Sequence, residues 1–145
     1  MNDKTIEWLL QGEAWVEYRT RLDLLGQTEK DPQVVSARKS MLADAKIQSL
    51  ITELMDWPGT VLSSHKSASQ SFHKLAFLAD LGLNVNDSPV KKIADKVMEH
   101  QSSQGPFQLT MNIPTHFSGS GKDEWAWALC DAPIVVSALT QMGLG

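Results

Sequence analysis

The sequence predicts an all-α fold built of repeated antiparallel helix hairpins. Three observations carry that expectation. Apolar residues recur at helical spacing through most of the chain. Aspartate and proline stand where helices should start, and glycine where they should stop. Three helical segments also end alike, in "LDLLG", "FLADLGL" and "ALTQMGLG", with glycines at 26, 82 and 143 and gaps of 56 and 61 residues.

The elements follow in order. "DKTIEWLLQ" puts Ile6, Leu9 and Leu10 on one side of a helix, with Asp3 as its cap. Gly12 interrupts, and "EAWVEYRTRLDLLG" resumes with Val16, Leu22 and Leu25 as its apolar positions and Gly26 as its stop. "DPQVVSARKSML" opens with Asp31 at the cap and Pro32 at the first helical position. "DAKIQSLITELM" places Ile47, Leu50, Ile51 and Leu54 on one face. "MDWPG" stops it, because the residue before a proline disfavours the helical region and Pro-Gly favours a turn.

An irregular approach, "SHKSASQ", leads into a helix that starts near residues 69–71. Leu75, Leu78 and Ala79 share its face, with Phe72 or Leu81 at the margin and Gly82 at the end. "DSPVKKIADKVMEHQ" starts at Ser88 and Pro89 and turns Ile93, Val97 and Met98 inward. "GPFQLTMNIPTHFSGSGKDEW" has no helical period, has room for a short strand at "FQLTM", and offers "SGSG" as a flexible tip. The last helix begins near "CDAP" and gathers Ile134, Val135, Ala138, Leu139 and Met142.

Composition narrows the function. The 145 residues suit one domain, and a net charge of -4 leaves no electrostatic footprint for nucleic acid or anionic lipid. Neither a P-loop nor a dinucleotide-binding glycine motif occurs. The single cysteine, Cys130, excludes an internal disulfide and a four-cysteine zinc site. The start of the chain lacks the pattern of a signal peptide, and no apolar stretch is long enough to span a bilayer. A cytoplasmic location is the resulting expectation.

The repeated unit reads as helix, aromatic turn, helix, Leu-Gly-Leu, the turns being "MDWPG" and "SSQGPF". Repeats at this period indicate stacked hairpins that bury one another's apolar faces. With Gln101, Gln104, Gly105 and Phe107 in the second turn, the layout resembles the α/α-toroid superfamily of terpenoid cyclases and protein prenyltransferases. The resemblance covers residues 31–145, lacks the aspartate that the family places before the turn glycine, and has its Trp57 glycine after the aromatic residue. It implies an arc of an α/α toroid, with residues 1–145 a single helical-repeat domain belonging to a larger ring.

The candidate ligand or partner residues are Trp57, His65, His73, His116, Asp123, Trp125, Trp127 and Cys130. The resemblance to prenyltransferases implies zinc held by aspartate, cysteine and histidine. In "DEWAWALCDAP", however, Ala128 stands where that aspartate belongs, Asp131 follows the cysteine, and the family histidine would fall past Gly145. The sequence therefore assigns no metal and no cofactor. Asp131 reads as a helix cap, and Cys130 could form a thiolate pair with His116, although nothing in the sequence shows that they meet. Aspartate-rich cyclase motifs are absent. His65 is placed on the loop side of its helix, as a pocket rim, and His73 in the first helical turns with a structural role.

The expected function is binding or scaffolding with no assigned reaction. The alternatives are a portion of an enzyme acting on an apolar isoprenoid-like substrate and a HEAT-like protein-interaction module. The partners that suit this reading are an apolar small molecule, a protein, or a second copy in a homo-oligomer. No catalytic residue is assigned.

Overall fold

The computed structural model describes residues 3–62 and 64–144, so Gly145 of the "MGLG" ending lies outside the described residues. The chain forms two compact units, residues 1–49 and 50–145.

The first unit holds α1 (Asp3–Leu10), α2 (Ala14–Arg19), α3 (Pro32–Ala43) and the start of α4 (Ala45–Leu54). α2 packs against α1 and α3. Val34, Ala37 and Met41, at helical spacings of three and four, are buried with Tyr18. α2 does not stop at Arg19 but widens into a π-helical turn over Thr20–Leu24. Thr20, at the start of that turn, is buried, whereas Leu25, just past its end, is exposed. Asp44 breaks α3 from α4 and caps α4, its Oδ1 accepting the Lys46 N–H at 2.8 Å.

The second unit continues from the latter half of α4 into α5 (Ser71–Asp80), α6 (Ser88–Met98), β1 (Leu109–Asn112), β2 (Asp123–Ala126) and α7 (Ala132–Gln141). Its core follows the predicted faces: Leu54 from α4, Phe72, Leu75, Leu78 and Ala79 from α5, and Val135, Ala138, Leu139 and Met142 from α7 and its end. In α6 the buried face is Val90, Ile93, Ala94 and Val97. Met98 lies one residue, and so about 100°, further round, and is half exposed instead of inward.

The fold is predominantly helical, and "all-α" needs one correction. The non-periodic stretch pairs β1 with β2 in an antiparallel hairpin, Leu109 opposite Ala126 and Asn112 opposite Asp123. Leu109 and Met111 alternate inward, as a half-buried strand requires. Leu62 extends the pairing, its N–H donating to the Thr110 carbonyl at 2.8 Å. Nor is "SGSG" a loose tip. Gly121 N–H donates to the Ile113 carbonyl at 3.0 Å, and Gly119 packs on the same residue.

α5 and α7 pack against each other and end in the same way. Gly82 and Gly143 take φ of +91° and +95°. Leu83 N–H then returns to Leu78 and Gly82 N–H to Ala79, while Leu144 returns to Leu139 and Gly143 to Thr140. This is the paired glycine C-cap in which two otherwise orphaned carbonyls are satisfied. The two helix ends are tied to each other, Val85 N–H donating to the Met142 carbonyl at 2.9 Å. Among the described residues no helix is long and apolar enough to cross a membrane.

A side chain at position 119 tests the hairpin connection. A Cβ there would lie 2.0 Å from the Ile113 carbonyl oxygen and 2.5 Å from its carbon. Backbone cannot yield as a flexible side chain would. Gly119→Ala is expected to lower stability to urea by about 1–3 kcal/mol; an unchanged midpoint would show that the turn is built otherwise.

Candidate functional site

The donor side chains that converge in the second unit come from opposite ends of it. His65 lies in the approach to α5, and Cys130 and Asp131 lie just before α7. His65 Nδ1 is 2.7 and 2.9 Å from the two Asp131 carboxylate oxygens and 3.3 Å from Cys130 Sγ. One donor atom from each of the three residues lies within 4.8 Å of the others. Asp131 is 2% exposed, whereas His65 and Cys130 reach solvent.

Local sequence explains why Asp131 is free for this. It stands at the cap of α7 but has the helical φ of -102° and ψ of -43°, not the extended geometry of a capping residue. Pro133 follows, and proline removes one of the first-turn N–H groups that a cap would bind. Two others are already used: Ala132 N–H goes to the Ala128 carbonyl and Ile134 N–H to Asp131's own carbonyl, each at 3.0 Å. The carboxylate makes no capping bond. Its partner is the imidazole, so the cap reading of Asp131 is corrected.

The protons can be placed. A carboxylate only accepts, so the Nδ1 facing it carries hydrogen. The Cys130 thiol is pushed above its ordinary range, first by desolvation of the sulfur, then by the Asp131 charge and the hydrogen bond that holds the thiol proton on that carboxylate. A nucleophilic cysteine needs the opposite shift. A nucleophile–base–acid triad also needs the imidazole to face its two partners through different nitrogens. Here one nitrogen faces both. The arrangement suits ligation better than attack.

The donor set fits a zinc-type ion. Imidazole nitrogen, thiolate and carboxylate all bind such ions at about 2.0–2.3 Å, which in a tetrahedron separates N from O by about 3.4 Å and N from S by about 3.6 Å. The present separations of 2.7 and 3.3 Å are those of a hydrogen-bonded cluster. Loading requires the nitrogen to draw away from the sulfur by about 0.3 Å and from the oxygen by about 0.7 Å, and the two exposed partners can move by that much.

The other sequence candidates lie elsewhere. His73 stands on the first turn of α5, its Nε2 donating to the His65 carbonyl at 2.8 Å and its ring tilted on Phe72. Trp57 is 7% exposed and packs in the core, its indole N–H without a hydrogen-bond partner among the described residues. His116 is exposed beside Phe117, in the 3-10 turn Thr115–Phe117. Cys130 thus meets His65, not His116, at hydrogen-bond range. Asp123 opens β2 and accepts a hydrogen bond from Asn112 Nδ2 at 3.0 Å. Trp125 stacks on His100 at 3.5 Å, and Trp127 Nε1 donates to Gln104 Oε1 at 3.1 Å. The two indoles hold the "HQSSQGPFQ" turn against β2. Asp131, which the sequence reading sets aside as a helix cap, is the residue that joins the cluster.

A second feature is an apolar groove of about 420 Å³ beside the end of α7, lined by Met98, Phe107, Val136, Leu139 and Leu144 among others.

The raised thiol has a chemical consequence. Cys130 is expected to react with iodoacetamide at pH 7.5 more slowly than a free cysteine peptide, although it is exposed, because less of it is thiolate. Asp131→Asn should speed the reaction; a fast wild-type rate would contradict the proton assignment. The chain matches no family model, no curated protein and no solved structure.

Proposed function

We propose that residues 50–145 form a metal-binding domain whose centre is His65, Cys130 and Asp131, and that binding rather than nucleophilic catalysis is its role. The observation that carries this is the convergence of an imidazole nitrogen and a cysteine sulfur on a carboxylate that is 2% exposed. A buried carboxylate is costly unless paired, and a dication would satisfy it together with the thiolate and imidazole. When bound, the ion would neutralise the two anionic ligands and offer a position open to an outside ligand, as three-ligand sites do. The protein supplies the rest: Asp131 anchors from the core, His65 and Cys130 close from the solvent side, the thiol gives up its proton to solvent, and the imidazole changes tautomer, so that Nδ1 is freed to ligate and Nε2 carries the ring hydrogen.

The toroid arc belongs to the same proposal. It is supported by α5 and α7, which run in the same direction. Their starts meet through His65, and their ends through the Val85–Met142 hydrogen bond. Ring folds place alternate helices of successive hairpins side by side in this way. The apolar groove favours a second reading, in which the domain also takes an apolar partner such as a small molecule or a helix of another protein.

Titration with Co(II) tests the metal reading. One equivalent should bind with a thiolate charge-transfer band. Each of His65→Ala, Cys130→Ser and Asp131→Asn should cost more than the roughly 10–100-fold that loss of a ligand's supporting partner costs. Since the thiol must lose its proton, affinity should rise with pH through neutrality, by up to about tenfold per unit. Absence of a Cys130-dependent band in the wild type would sink the proposal. Met98→Glu together with Val136→Glu should leave that band intact and abolish binding of an apolar fluorescent probe; probe binding by the variant at wild-type strength would remove the second reading.

A further inference from the structure

We infer that His73 is the positioning residue for this centre, holding His65 at the distance from Cys130 and Asp131 that ligation needs. The inference rests on the metal reading above and concerns how the exposed half of the site keeps its place.

Cys130 and Asp131 are fixed by the start of α7, whose backbone hydrogen bonds begin at Ala128. His65 is held less directly by its own segment, whose anchored position is Leu62, three residues earlier, with its N–H on the Thr110 carbonyl. It lies outside any helix or strand, among turns closed by Ser67 N–H to Ser64 and Gln70 N–H to Ser67, at 3.2 and 3.1 Å. Such turns shape the loop but do not say where the loop sits. His73 does. Its Nε2 donates to the His65 carbonyl at 2.8 Å, eight residues back, so it ties the backbone of His65 itself to α5.

His73 is in turn held. It sits on the first turn of α5, against Phe72, which is 1% exposed. Because α5 packs on α7, the chain of contact closes on itself: α7 carries Asp131, Asp131 meets the His65 ring, the His65 carbonyl meets His73, and α5 returns to α7. The two histidines therefore have different tasks. One faces the ion with its ring; the other never approaches the ion and acts through the first one's carbonyl. A carbonyl only accepts, so His73 must keep its proton on Nε2 to do this.

The test compares His73→Ala with His73→Gln, whose side-chain amide carries an N–H at nearly the reach of Nε2. Three readouts are taken on the whole chain: Co(II) affinity and spectrum, long-range nitrogen NMR of the imidazoles without metal, and urea stability. His73→Ala is expected to weaken Co(II) binding by about 10–100-fold, the usual effect of losing a ligand's support, and to change the His65 Nδ1 resonance. His73→Gln should restore most of both, and urea midpoints should change too little to account for the loss. Wild-type affinity and an unchanged His65 resonance in His73→Ala would overturn the inference. Equal losses in both variants would also overturn it. If the wild type shows no Co(II) band, the metal reading falls on its own, and the metal-free His65 resonance still decides whether His73 positions it.

Discussion

The carboxylate of Asp131 is 2% exposed and accepts the His65 ring N–H at 2.7 Å, and the second unit depends on that contact at its loop end. Leaving such a group buried and unpaired costs several kilocalories per mole. The cost is met by bringing a loop residue across 66 positions of sequence to meet it. Helices α5 and α7 make the meeting possible because they lie side by side with their starts together. At their other ends the glycine caps and the Val85–Met142 bond hold them in line. The pair is thus clamped at both ends by polar contacts, while Leu75, Leu78, Val135 and Leu139 fill the space between.

This arrangement decides what chemistry the site can do. Desolvation of the sulfur and then the neighbouring acid push the Cys130 thiol above its ordinary range. That shift discourages nucleophilic attack and rewards a cation that replaces the proton. The histidine reaches both neighbours through one nitrogen, which again suits a shared ion better than a relay of protons. Proline at the second position of α7 is the local cause. By removing a helix-start donor it leaves the preceding acid free to serve the loop instead of the helix.

Much of the helical framework was legible because its signals are local. The faces of α4, α5 and α7 follow from period, and the ends at Gly26, Gly82 and Gly143 follow from the left-handed conformation those positions adopt, with φ of +63°, +91° and +95°. Leu25 and Met98 are exposed for equally physical reasons: Leu25 lies past the end of its helical turn, and Met98 lies just off the buried stripe of α6. The hairpin was visible only as "FQLTM", since its partner strand is four residues long and begins with two acids. The site was legible in parts. Cys130, His65 and His73 could be singled out by type, and His73's structural role by its place on the helix. Their grouping could not, because "CDAP" has the pattern of a cap and nothing local joins residue 131 to residue 65. The indoles at 125 and 127 stand against His100 and Gln104, contacts that no local pattern announces.

A double-mutant cycle on metal-free protein tests the central contact directly. His65→Ala, Asp131→Ala and the double variant are unfolded in urea beside the wild type. If the ring and the buried carboxylate are partners, the effects fall short of additivity by about 1–3 kcal/mol, since either change alone removes the same hydrogen bond. Additivity within about 0.5 kcal/mol would mean that His65 and Asp131 do not meet, and the proposed centre would have no basis.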